Sequence, residues 1–165
     1  MLLFNRSIKY LFVALTGLIV LAGCTFSPVY DAGGANNYAI GFGKPASVVE
    51  QTIVQELTFK LGRATTPAYM VNLSTSTATR SIYGVGSQFV RTEYEATVRT
   101  SFTLIDTLTD EQVTSGQRFA SAIYQSSTQN VANNAALSDA YQRAAKDVAG
   151  QIELLIVAAL KENKP

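Results

Sequence analysis

The sequence predicts an α+β fold: a two-layer sandwich in which two helices pack on one face of an antiparallel or mixed sheet of about four strands, in the order β-α-β-β-β-α. Three patterns predict it. Val49, Ile53, Leu57 and Leu61 recur every four residues and lay one apolar stripe along a helix. From Tyr94 to Leu104 apolar or small residues alternate with polar ones, the period of a strand with one covered face. Leu137, Tyr141, Ala144, Val148, Ile152, Leu155 and Ala159 then step by three and four, the clearest helical signal in the chain.

In chain order, Tyr38 to Phe42 reads as a first short strand. Ser47-Val48-Val49-Glu50 has the S-x-x-E spacing of a capping box, so a helix is expected from Ser47 to Leu61, closed by Gly62. After Pro67, Tyr69, Val71 and Leu73 alternate with Met70, Asn72 and Ser74 and predict a second strand. Gly84 and Gly86 mark Ser81 to Gln88 as a bend or loose loop. The long strand through Tyr94, Ala96, Val98, Thr100, Phe102 and Leu104 presents those residues to a core, and Glu95, Thr97, Arg99, Ser101 and Thr103 to water or a partner. Thr109 to Gln112 is the expected turn, with Val113 to Gln125 returning as an antiparallel strand that carries Phe119, Ile123 and Tyr124. Ser126 to Asn130 breaks the pattern, and Asn133 or Asn134 offers a cap for the last helix. On that helix Asp139, Arg143 and Asp147 form a charge ladder one turn apart. Gly150 sits within it despite glycine's poor helix propensity, which implies close packing there.

Ahead of this domain lies a segment of a different kind. Arg6 and Lys9 precede an apolar run from Tyr10 to Leu21 that ends in small residues, the layout of an export signal. A bilayer-spanning helix needs roughly twenty apolar residues, more than this run supplies. Leu21-Ala22-Gly23-Cys24 resembles the lipobox of bacterial lipoproteins. That resemblance implies cleavage before Cys24, a diacylglycerol on its sulfur and an N-acyl chain on its new amino group. At about 0.8 kcal/mol per buried methylene, chains in this number give stable membrane anchoring. Cys24 is the only cysteine, so an internal disulfide is excluded. Thr25 follows it where an aspartate would favour retention in the inner membrane, and by the same resemblance this points to the outer membrane. The expected organisation is a leader over 1–23, a lipidated tether over 24–37, rich in Gly, Ala, Asn and Pro, and one domain over 38–165.

Composition narrows the function. Without Arg6 and Lys9 the formal net charge falls from +1 to −1, which gives no reason to expect a nucleic-acid partner. Charged residues make up 15% of the chain, against about 25% in an average soluble protein. The polar surface therefore rests on Ser, Thr, Asn and Gln, as suits an envelope protein or one covered by a partner. Histidine is absent, and neither a G-x-S-x-G elbow nor a phosphate-binding G-x-x-x-x-G-K-[ST] loop occurs, so no enzyme activity, metal or cofactor is expected. Asp110-Glu111 reads as a solvated turn pair.

Leu57 to Thr92 holds Lys60, Arg63, Arg80 and Arg91 with no acid, whereas Glu93 to Glu111 holds five acids and one cation, Arg99. If the loop between Arg80 and Arg91 folds near the end of the first helix, these four cations are candidate phosphate contacts. Scattered surface cations balanced by neighbouring acids are the simpler alternative.

Cys24-Thr25-Phe26-Ser27-Pro28-Val29-Tyr30 resembles the start of mature LptE-family lipopolysaccharide-assembly lipoproteins, which commonly read Cys-Gly-Phe-x-Pro-Leu-Tyr. Thr25 and Val29 depart from that pattern. The early helix, the long hairpin, Arg118-Phe119 to Tyr124 and the alanine-rich last helix resemble the family as well. The resemblance implies a non-enzymatic outer-membrane lipoprotein, lodged in the barrel of an LptD-like partner, that assists the barrel's assembly, plugs it and takes part in delivering lipopolysaccharide to the cell surface. Under that reading Lys60, Arg63, Arg80 and Arg91 are candidates for lipid A phosphates, and Phe26, Pro28 and Tyr30 either anchor the tether at the barrel or membrane interface or pack onto the domain's own sheet. A different class, an auxiliary lipoprotein of an envelope ABC-type lipid transporter, is the competing expectation, and a purely structural envelope lipoprotein a third.

Overall fold

The computed structural model describes residues 38–83, 93–126 and 129–162. Their elements are β1 (Ile40–Phe42), α1 (Val48–Leu61), β2 (Tyr69–Tyr83), β3 (Glu93–Asp106), β4 (Gln112–Gln125) and α2 (Asn130–Glu162). The order is β-α-β-β-β-α, as the sequence predicts. The strands form one mixed sheet in the order β1-β2-β3-β4. β1 runs parallel to β2 and the other neighbours are antiparallel.

The parallel pair needs a crossover, and α1 supplies it. Ser47 opens that helix with extended backbone, its Oγ accepting from the Glu50 amide at 3.1 Å. The Glu50 carboxylate reaches back to the Ala46 amide at 3.3 Å, one residue before the position a strict capping box uses. At the other end Gly62 closes the helix, its amide bonding the Thr58 carbonyl; its φ of 78 with ψ of 173 is a positive-φ conformation open to glycine, extended in ψ where the left-handed helical one is expected. The next residues return to the sheet, where Ala64 N–H donates to the Ile40 carbonyl at 3.0 Å.

Alternation in β3 resolves as the spacing demands. Ala96, Val98, Thr100, Phe102 and Leu104 are buried. They meet Ile53, Leu57 and Leu61 of α1 and Ala144, Val148, Ile152 and Ile156 of α2 in one apolar core. Gly116 of β4 stands opposite Phe102, whose Cε1 lies 3.1 Å from where a Cβ would be, so the missing side chain makes room for the ring. Thr100 is fully buried among these apolar groups, and its hydroxyl is satisfied by Thr75 Oγ1 at 3.1 Å.

Boundaries differ from expectation in three places. β2 continues through Ser81 to Tyr83, where a bend is expected, because pairing with Tyr94 and Glu93 extends the ladder through a bulge between Ser81 and Tyr83. Gly84 to Gln88 lie outside the described residues. The hairpin turn begins earlier than Thr109: Asp106 Oδ1 accepts from the amides of Leu108 (2.8 Å) and Thr109 (3.3 Å), folding the chain at once, and Asp110 takes φ 59. Finally, α2 is not capped by Asn133 or Asn134. Asn133 N–H donates to the Gln129 carbonyl at 3.0 Å, so Asn133 lies inside the first turn, and its side chain accepts from Ser126 Oγ at 3.3 Å instead.

The helices are joined by a partly buried charge pair. Lys60 Nζ lies 3.0 Å from Glu153 Oε2 and 4.0 Å from Glu56 Oε1. The same ammonium is 3.5 Å from where a Cβ on Gly150 would lie, an ordinary contact distance, so the close packing expected at this helical glycine is not what the described neighbours impose.

Candidate functional site

Each face of the sheet has its own chemistry. Residues directly opposite in an antiparallel ladder share a face. Val98 pairs with Thr77 and Ala120 on the helix side, while Arg99 pairs with Ser76 and Phe119 on the other. That second face is open and made mostly of hydroxyls and amides. Thr97 and Ser121 share a hydrogen bond at 2.8 Å, and Gln117 Nε2 donates to Ser101 Oγ at 3.2 Å. Its described charges find different partners. Arg80 is ion-paired with Glu95, and Arg99 lies 5.8 Å from the centroid of the Phe119 ring. The Arg80 guanidinium, followed by the Ser121 hydroxyl, holds the Glu95 carboxyl below the usual carboxylate range. Phe119 and Ile123 remain 59% and 56% exposed on this face, large apolar groups in a polar field.

A bulge decides that placement. Ile105 pairs with Gln112 but Leu104 pairs with Thr114, so the ladder skips Val113. Were the register unbroken, with Val113 opposite Leu104, Phe119 would stand opposite Val98 and point at the helices. The sequence alternation in β3 shows which of its faces is polar; the exposure of Phe119 and Ile123 on the partner strand depends on a one-residue slip that composition does not announce.

A separate apolar groove of about 220 Å³ opens between the helices, lined by Val48, Val49, Thr52, Leu137 and Tyr141. Its lining suits an apolar group.

The candidate cations are spread over the molecule. Lys60 is engaged with Glu153 and Glu56 between the helices. Arg63 is exposed in the loop that docks beside Ile40, at the Tyr69 end of the sheet. Arg80 lies near the far end of β2, with about 36 Å of strand separating it from Tyr69 at 3.3 Å per residue. Arg91 and Cys24 lie outside the described residues, as do Phe26, Pro28 and Tyr30. The three described cations are therefore not gathered at one point, because Lys60 belongs to α1, Arg63 to the loop after it and Arg80 to the far part of β2.

Among the described residues no cluster of three or more His, Cys, Asp or Glu side chains could hold a metal ion. No described helix is long and apolar enough to cross a membrane, which says nothing of spans made from strands.

The family model described as LptE, lipopolysaccharide-assembly, matches residues 34–154. Among solved structures, a protein of Caulobacter crescentus described as a lipoprotein superposes with a TM-score of 0.63 at 25% identity, covering 77% of this chain and 93% of that one. A minor lipoprotein of Acinetobacter baumannii gives 0.57 at 19% identity, covering 73% and 92%. Rare lipoprotein B of Shewanella oneidensis gives 0.53 at 14% identity, covering 76% and 96%. The last two show a shared fold. No curated protein matches the chain.

Proposed function

The chain belongs to the LptE family of lipopolysaccharide-assembly proteins, and from that premise we propose that it is a lipid-anchored outer-membrane protein that assists assembly of an LptD-like β-barrel, plugs it and takes part in moving lipopolysaccharide to the cell surface. Cys24 carries the anchor, an N-acyl chain and an S-diacylglycerol. The role is non-enzymatic: the protein acts by where it sits and what it binds.

The observation that carries this reading is the open sheet face. It is broad and hydroxyl-rich, with one ion pair upon it and the helix layer confined to the opposite side. The lumen of an outer-membrane barrel is polar, and a face made mostly of hydroxyls and amides suits it. The anionic phosphates of lipopolysaccharide are assigned to Lys60, Arg63, Arg80 and Arg91. Since Lys60 lies between the helices, Arg63 at the Tyr69 end of the sheet and Arg80 near the other end, the described cations act as separate contacts along the molecule.

Co-purification tests the proposal. Tagged full-length protein extracted from membranes in mild detergent is expected to bring down a large outer-membrane barrel together with lipopolysaccharide. The variant with all four cations changed to Gln should keep the barrel and lose lipopolysaccharide in a salt-dependent way. Recovery of ABC-transporter components without a barrel would overturn the barrel reading in favour of a transporter accessory. Unchanged lipopolysaccharide recovery would remove the phosphate assignment alone.

A further inference from the structure

The sheet has two outer edges, and the chain treats them differently. Along β4 the outward carbonyls receive side chains from within the fold. Arg143 Nη2 donates to Ile123 O at 3.1 Å, Gln151 Nε2 to Phe119 O at 3.5 Å, and Arg118 Nη1 to Gln117 O at 2.7 Å. Along β2 the covering stops after three residues. β1 pairs only with Tyr69, Met70 and Val71. Beyond Val71 no described strand lies on that side, and no hydrogen bond among the described residues reaches the outward backbone of β2 up to Ser81.

Which backbone groups point outward follows from two bonds. Tyr69 N–H donates to Ala39 O at 3.2 Å, and Val71 O accepts from Gly43 N–H at 2.9 Å. Both residues turn their polar groups toward β1. In an antiparallel ladder the outward residues recur every second position, which makes Leu73, Thr75, Thr77, Thr79 and Ser81 the exposed set. Proline, lysine, an early bulge or an inward charge normally blunts such an edge. Here Asn72 to Ser81 holds one charge, Arg80, which is already paired with Glu95, and the bulge comes only after Ser81.

We propose that this edge pairs with the same edge of a second copy of the chain, antiparallel and about a two-fold axis at Thr77. The register is dictated by the edge itself. Only with Thr77 opposite Thr77 does the outward set map onto itself: Leu73 faces Ser81 and Thr75 faces Thr79, giving about ten new backbone hydrogen bonds. In that register the pairing spans Leu73 to Ser81 and stops short of Val71, beside which Phe42 of β1 already lies. Arg80 falls opposite Ser74, and no like charges meet. The result is an eight-stranded sheet continuous across the pair, formed without any other component of the envelope.

The test uses the full chain purified alone in mild detergent. Thr77→Cys brings two thiols together across the axis, at a Cα separation of about 5.5 Å that permits a disulfide. Mild oxidation should yield a dimer whose bond maps by mass spectrometry to residue 77, apart from any bond at Cys24. Ser74→Cys should not link to itself, since its counterpart lies about 20 Å along the strand, but should link to Arg80→Cys in mixed dimers. Thr77→Pro removes an outward N–H unused within one copy. It should raise the dimer dissociation constant at least about tenfold, the loss of two hydrogen bonds, with far-ultraviolet circular dichroism unchanged. If the proline variant does not fold, the cysteine pattern decides. A monomeric mass at every concentration with no link at residue 77 overturns the proposal. So does a Ser74 self-link, or a bond from residue 77 to a different protein when crosslinking is run in membranes.

Discussion

Two hydroxyl pairs sit on opposite faces of the same sheet and do different work. Thr75 and Thr100 share a hydrogen bond under the helices, and Thr97 and Ser121 share a shorter one on the open face. Thr100 is fully buried, whereas the second pair lies on the solvent side. On the covered face a hydroxyl must be satisfied by the fold, because water cannot replace a lost partner. On the open face water can, so those side chains are free to serve a surface that something else contacts. The stability of the domain is thus concentrated in one layer, and its capacity for interaction in the other.

That division is open to attack by mutation, measured as the shift in chemical unfolding. Phe102→Ala empties the space of the largest fully buried side chain and should cost about 3–5 kcal/mol. Thr100→Ala leaves Thr75 without its partner beside the core and should cost about 1–2 kcal/mol. Thr97→Ala makes the same chemical change on the other face and should stay within about 0.5 kcal/mol. Equal costs for the two threonine changes would erase the distinction between the faces. A larger gap than this would sharpen it.

Much of the covered layer was legible in the sequence, because burial on one side imposes a period that the residues must keep. Ala96 to Leu104 show it without interruption, and so do Ile53, Leu57 and Leu61. The open layer imposes no such rule, and its features came from geometry instead. Phe119 faces outward because the ladder skips Val113. The cations suggested a cluster, on condition that the loop between Arg80 and Arg91 folds near the first helix; of the described ones, Arg63 precedes β2 and Arg80 lies eleven residues beyond Tyr69 on that strand, so these two are far apart. Asn133 looked like a cap because of its chemistry, and its amide is already committed to the first turn. The free edge of β2 had no signature in composition at all; it appears only when the three residues of β1 are set against the fifteen of β2.

That short β1 also determines how the domain responds to tension. Any pull entering the described chain at Tyr38 is met first by the Ile40 to Phe42 ladder and the bonds from Ala68, Tyr69 and Ala64 that flank it. Because Ile40 and Phe42 are themselves buried in the core, such a load is carried by apolar burial as well as by these few hydrogen bonds.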